Sequence, residues 1–344
     1  MKKLLKCILC ILLAVLTAGF SAWALEPAQT EAESETAAIR KQYKRGELVC
    51  TYTFTVYGWG HGVGLSQYGA IAYADVNGRY KWNYVQILLH YYPQCHMAYE
   101  EDIPSVMTRG GVSYPTREYL AHTTMAEIGG DCGPAQKEAF KAQIVAIYTF
   151  LKHNNYSVSA GSIAYTSTQP SAVIYECVDE VIGQYVAYNG GSTAGSGLFA
   201  ASTCGRTASA AGTWGGSGYP GLDGGLYSPE PIRPRTVIMD AQDIIRIANV
   251  YNDGKPAERK IHLSGDPSTW LEILEHDGAY SAHIGYVTKL RIGDQTMSGT
   301  AFRSLLFRVP DVPGLRCHCF SLTYDLVPGE NVLGNDPADY TAAE

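Results

Sequence analysis

The chain has 344 residues, among them 36 glycines and 25 tyrosines, and carries a formal net charge of −7. An acidic balance argues against nucleic acid or another polyanion as partner, because such ligands are held by clustered Lys and Arg. Tyrosine and glycine in this abundance suit surfaces that stack on sugar rings, but they suit ordinary sheets equally well, so composition alone leaves the ligand open.

The amino-terminal stretch MKKLLKCILCILLAVLTAGFSAWALEP has a basic start, an apolar run and the small-x-small triplet Ala22-Trp23-Ala24. That is the layout of a secretory signal over residues 1–24, cleaved before Leu25. The rival is an uncleaved helical anchor, since Cys7 to Leu25 is almost long enough to cross a bilayer. On either reading the working part is secreted or extracytoplasmic and associated with the cell envelope, touching the membrane only if the leader is retained. Residues 25–47 are polar, charged and without apolar periodicity, which reads as a flexible linker. Residues 48–328 read as the folded domain and 329–344 as a disordered tail.

LVCTYTFTV alternates apolar and polar residues and is rich in β-branched and aromatic side chains, so a strand is expected there. It runs into YGWGHGVGLSQYGA, with glycine at Gly58, Gly60, Gly62 and Gly64. If this segment is extended, Trp59, His61, Val63 and Leu65 share one face, and the bare glycine face admits another backbone or a flat ligand. No Gly-Lys-Ser/Thr and no GxGxxG frame accompanies the glycines, which argues against a phosphate loop. His61 is then a polar hand in a sugar groove or a satisfied core histidine, the commoner fate of a lone His.

Ser66 is placed to cap a short helix through Val76 that Asn77-Gly78 ends. In WNYVQILLHYY a second helix aligns Tyr84, Ile87, Leu88 and Tyr91. Two further helices start at Pro115 and Pro134, with Gly129-Gly130 breaking the chain between them. Phe140, Val145, Ile147, Tyr148 and Leu151 give the later one a core stripe. Glu127 is left at the carboxyl end of the earlier one, where a carboxylate opposes the helix macrodipole, so local stability does not explain it.

From Ala160 to about Pro229 short strands and glycine-rich turns are expected, with a hairpin signal at Asn189-Gly190 and the aromatics Trp214 and Tyr219 in a small-residue segment. A helix at AQDIIRIANVY and strands in GYVTKLRIGDQTMSG and CHCFSLTYDL complete a mixed α+β pattern. Seven cysteines follow the leader: Cys50, Cys95, Cys132, Cys177, Cys204, Cys317 and Cys319. An odd number leaves one thiol over or implies an intermolecular bridge, and the pairing stays open. Cys317-His318-Cys319 has the residue types of a metal site but no CxxC or HxxxH partner, so neither a metal nor a cofactor is expected.

GWGHGVGLSQYGA, the pair EYL and AEI with KEAFKAQIVAIYTF, and STCGRT with TW and YPGL resemble the signature blocks of the stage II sporulation protein D (SpoIID) family and its autolysin-modifier LytB relatives. GYVTKLRIGDQTMSGTAFRSLLF resembles that family's late strand region, and the likeness runs from about Phe54 to Phe320. In the family the glycine block follows the strand that CHCFSLTYDL resembles, whereas here it comes first. The blocks look circularly permuted, which requires Phe54 and Phe320 to lie in neighbouring strands.

The resemblance implies an α+β fold of two lobes around a glycan-binding cleft, acting as a peptidoglycan lytic transglycosylase. Such an enzyme cleaves the MurNAc-β-1,4-GlcNAc bond of peptide-stripped glycan strands to 1,6-anhydro-MurNAc ends, for which Glu127 is the matching general acid/base. Lys141 matches the family lysine that could hold a lactyl carboxylate, or is a solvated helix lysine. His61, Ser66, Gln67 and Tyr68 would line the cleft, and Ser202, Thr203 and Thr207 would contact sugar. Two positions depart from the pattern: Tyr148 stands where the family carries Arg, and Phe199 to Ser202 read FAAS in place of YHS. The alternative is a non-catalytic peptidoglycan-binding protein that stimulates a cell-wall amidase, with a structural envelope component as a third reading.

Overall fold

The computed structural model describes residues 50–190, 195–216, 219–281 and 284–326, so the expected leader, linker and tail lie outside the described residues. Strand β1 (Cys50–Val56) buries Cys50, Tyr52, Phe54 and Val56 and leaves the intervening threonines half-exposed, as its alternating pattern requires. The described chain divides into two compact units: residues 59–232 form the first, and β1 belongs with residues 233–326 in the second.

The first unit starts with β2 (Leu65–Ser66) and α1 (Gln67–Ala74). Ser66 caps α1 as expected, its hydroxyl accepting from the Gly69 amide at 3.1 Å. Helix α2 (Tyr84–Tyr91) opens on a capping box between Asn83 and Gln86 and buries Ile87, Leu88 and Tyr91. Strands β3 (Cys95–Tyr99), β4 (Val106–Arg109) and β5 (Val112–Pro115) lead to α3 (Thr116–Glu127), which begins directly after Pro115. Pro134 sits in a short 3-10 turn that feeds α4 (Lys137–His153).

Helix α4 is the centre of this unit. Ala142, Val145, Ile147, Tyr148 and Leu151 are fully buried, and the helix packs against α1, α2, α3 and α5 (Ala172–Val181). Strand β6 (Ser157–Val158) runs parallel to β4. Strand β7 (Gln184–Tyr188) pairs antiparallel with β3, from Gln184 opposite Tyr99 to Tyr188 opposite Cys95. The return arm of the hairpin expected at Asn189-Gly190 falls on residues 191–194, outside the described residues; beyond them the Gly195 N–H bonds the Val186 carbonyl at 2.8 Å, and Asn189 bonds His96 of β3 at 2.9 Å. Strand β8 (Phe199–Ala200) pairs parallel with β2, and α6 (Ala210–Trp214) follows under a Ser209 cap.

The second unit holds β9 (Arg235–Asp240), α7 (Ala241–Asn252), β10 (Leu271–Ser281), β11 (Ile284–Ile292), β12 (Gln295–Met297), α8 (Gly299–Leu306) and β13 (Phe320–Leu326). One of its sheets has the order β13-β1-β9 and the other β10-β11-β12, all antiparallel. In the first, Phe54 stands opposite Leu322 and Val56 opposite Phe320. The Phe54 ring meets Phe320 edge-on at 5.5 Å and stacks with Phe302 of α8 at 6.0 Å. The neighbourhood expected of Phe54 and Phe320 is thus present. The fold class is mixed α+β, with parallel pairing confined, among the described residues, to β2–β8 and β4–β6.

Candidate active site

Glu127 is the last residue of α3. Its Oε1 accepts the Ala164 backbone N–H at 2.7 Å and its Oε2 accepts the Gln67 side-chain amide at 3.0 Å. Burial of the carboxyl pushes its pKa above the ordinary carboxylate range, and the two hydrogen bonds pull it only partway back. The three parts come from distant stretches of sequence. Gln67 is fixed as the first residue of α1 by the Ser66 cap, and Ala164 follows a turn closed by the Ser162 amide on the Ser159 carbonyl at 3.1 Å. Tyr119, Thr123 and Glu127 recur at every fourth position of α3 and so lie along one face. Tyr119 and Thr123 are wholly buried.

Beside Ala164 stands a cluster of rings. Tyr165 lies 5.1 Å from Tyr114, 5.9 Å from Tyr119 and 5.5 Å from His122, the last two in stacked orientation. His122 is fixed by a 2.8 Å bond between its Nδ1 and the Thr166 carbonyl.

The glycine segment is not an extended ribbon. Gly60, Gly62 and Gly64 have φ of +95°, +70° and +78°, so the chain loops before it enters β2. What comes close to Gly60 and Gly64 is the 198–200 segment of the same chain. A Cβ on Gly64 would stand 2.0 Å from the Leu198 carbonyl oxygen, and one on Gly60 would stand 3.2 Å from the Ala200 Cβ. Leu65 N–H bonds Leu198 and Trp59 exchange bonds with Ser202, so residues 198–202 are stitched along the segment. His61 takes the Val63 amide on Nδ1 at 3.1 Å, with its ring 5.1 Å from Trp214, which in turn meets Tyr219 at 5.4 Å.

Of the residues expected to line the site, Gln67 reaches Glu127 directly, and Tyr68 bonds Asp131 at 3.0 Å in the loop just after α3. Ser66, Ser202 and Thr203 are instead buried around Glu230, which is 5% exposed. Glu230 accepts from the hydroxyls of Ser66, Ser202 (2.7 Å) and Ser228 (2.8 Å) and from the amides of Thr203 (2.6 Å) and Gly205 (3.3 Å). A buried carboxylate with this many donors is a structural tie that holds β2, the 202–205 loop and the 228–230 turn together. Thr207 is likewise buried, its hydroxyl accepting the Leu226 amide at 3.1 Å. These four side chains face protein partners where sugar contacts were expected. Nothing in the local pattern around Ser228-Pro229-Glu230 marks the acid they surround.

Lys141 also has protein partners: Glu138 at 2.8 Å and Glu180 at 2.6 Å. Burial acts to lower its pKa, but the two carboxylates hold it above the usual lysine range. Tyr148 points its hydroxyl at Glu100 (2.5 Å), which Tyr156 (2.5 Å) and Lys152 (2.6 Å) also bind. Burial opposes ionisation of Glu100, yet these three donors bring its pKa below the ordinary value. The position where the resembled family carries a cation is thus occupied by a phenol tied to an anion.

Among the described residues no group of three or more His, Cys, Asp or Glu side chains is placed to hold a metal ion. Cys317, His318 and Cys319 are buried where the chain enters β13. No helix among the described residues is long and apolar enough to cross a membrane. No family model, no curated protein and no solved structure matches the chain.

Proposed function

We propose that the protein is a peptidoglycan lytic transglycosylase with Glu127 as its single general acid/base. The observation that carries this reading is the Glu127 carboxyl itself, desolvated and raised in pKa, with an amide and a backbone N–H directed at it. Protonated Glu127 donates to the glycosidic oxygen as the bond to the anomeric carbon of N-acetylmuramic acid breaks. The resulting carboxylate, stabilised by Gln67 and the Ala164 amide, then takes the proton of the sugar's own 6-hydroxyl as that oxygen bonds the anomeric carbon. Glu127 ends as it began, the product is a 1,6-anhydro ring, and no water is consumed. The acid's task is that of the proton donor in glycoside hydrolysis, for which burial is the usual means of raising a carboxylic pKa. An arrangement of two lobes around a glycan-binding cleft, action outside the cytoplasmic membrane and descent from a permuted SpoIID-like domain belong to this proposal. The signature blocks in the sequence support them.

A second reading is a glycan-binding protein without catalysis that stimulates a cell-wall amidase. It is favoured by Lys141 and Tyr148, since one cation is neutralised by two glutamates and the other is replaced. Incubating the protein with peptide-stripped glycan strands and examining the products by mass spectrometry separates the two. Anhydromuramic ends are expected, reduced about 10²- to 10⁴-fold in Glu127→Gln. Retention of the strands without new ends supports the second reading.

A further inference from the structure

Arg109 closes β4, opposite Val112 of β5 and alongside Val158 of β6, so its backbone is held from both sides. Its guanidinium lies over the Tyr165 ring, 5.5 Å from the centroid. The Nε atom is buried without a hydrogen-bond partner, and among the described residues no carboxylate pairs with this cation. Arg117, Lys137, Lys141 and Lys152 of the same unit all face Asp or Glu.

The cation belongs to the surroundings of Glu127. Tyr165 directly follows Ala164, whose N–H holds the Glu127 carboxyl. Tyr119, two turns before Glu127 on α3, senses both charges: burial pushes its hydroxyl up to about 12, Arg109 acts to lower it and Glu127 to raise it. The groups that set the Glu127 pKa are burial, the Ala164 N–H and the Gln67 amide, and Arg109 is not among them, so the cation does not neutralise the carboxyl. A guanidinium braced on a ring keeps its edge donors in a rigid fork, which matches a carboxylate.

We propose that Arg109, braced on Tyr165, binds a carboxylate borne by the sugar presented to Glu127, the lactyl group of a muramic acid residue being that chemistry on a glycan. The inference rests on the glycan reading above. It gives the site an anion-binding group from β4 in place of the cation expected on α4, where Lys141 is already paired and Tyr148 is bound to Glu100.

The test is calorimetric titration of the full chain carrying Glu127→Gln, which prevents turnover, with a GlcNAc-MurNAc oligosaccharide and with a chitooligosaccharide of equal length. The parent is expected to prefer the carboxylate-bearing glycan. Adding Arg109→Gln should weaken that glycan's binding about 10- to 100-fold and leave the neutral one unchanged. Arg109→Lys, which keeps the charge without the fork, should lose part of the preference, and it carries the decision should the Gln variant fail to unfold cooperatively. A preference that survives Arg109→Gln, or an equal loss for both glycans, overturns the inference and leaves the glycan reading standing. A parent that binds both glycans without preference does the same. A parent that binds neither overturns both.

Discussion

At the scale of single residues, a carboxyl that delivers a proton near neutrality must lose water without gaining a cation. Glu127 meets both conditions: its hydrogen-bond partners are an amide and a backbone N–H, and burial dominates its pKa. The partners matter because they favour the charged form. Replacing Gln67 by Leu removes one donor to the carboxylate, so the folded-state pKa should rise further. Since the acid must be protonated to act, the alkaline limb of kcat/KM should move to higher pH in Gln67→Leu, while the limb's shape is retained. A pH-rate profile on glycan strands checks this, and a shift to lower pH would contradict the role given to Gln67. Glu127 was legible because it matches a signature block and its position defied the macrodipole rule, and Gln67 only through the resemblance of the glycine block it belongs to. Ala164 was not, since a backbone N–H is identical at every residue and only the turn at 159–162 aims this one.

At the scale of elements, the glycine segment shows how a correct local signal can carry a wrong geometry. Four alternating glycines announce a close approach, and one exists, but positive φ at three of them makes a loop against residues 198–202 instead of a flat strand. The two costs of adding a side chain can be separated. Gly225 has φ of +76° with nothing within 4 Å of its virtual Cβ, so Gly225→Ala should cost about 1 kcal/mol in backbone strain alone. Gly64 has nearly the same φ, +78°, but its Cβ would stand 2.0 Å from the Leu198 carbonyl oxygen, so Gly64→Ala should cost about 3 kcal/mol or more. Urea denaturation of the two variants measures the difference, and equal losses would mean that the 198–202 segment yields without resistance.

At the scale of the whole molecule, β1 and β13 are antiparallel neighbours from Cys50 opposite Leu326 to Val56 opposite Phe320. The end of β13 therefore lies beside the start of β1, within reach of a short hairpin turn. A chain opened between Gly78 and Arg79, in the exposed stretch between α1 and α2, with Leu326 joined to Cys50 through such a turn, should keep every strand pairing. It is expected to unfold cooperatively with a far-ultraviolet circular dichroism spectrum like that of the natural order. Loss of cooperative folding in that permutant would show that the order of the segments, and not only their contacts, is needed.

What the sequence by itself determined are features set within a few residues: the alternation of β1, the cap at Ser66, the helix starts after Pro115 and near Pro134, and the misplaced carboxylate of Glu127. Only the tertiary structure decided which partners those residues meet. Ser66 and Glu230 are 164 residues apart, and Tyr148 reaches Glu100 across 48. Such a contact leaves no mark on either local pattern, because a hydroxyl, a lysine or a glutamate satisfies the same local rules whether it faces a sugar or another side chain. Burial, which raises one carboxyl, ties down another and leaves Arg109 without an acid among the described residues, is a property of the packed chain alone.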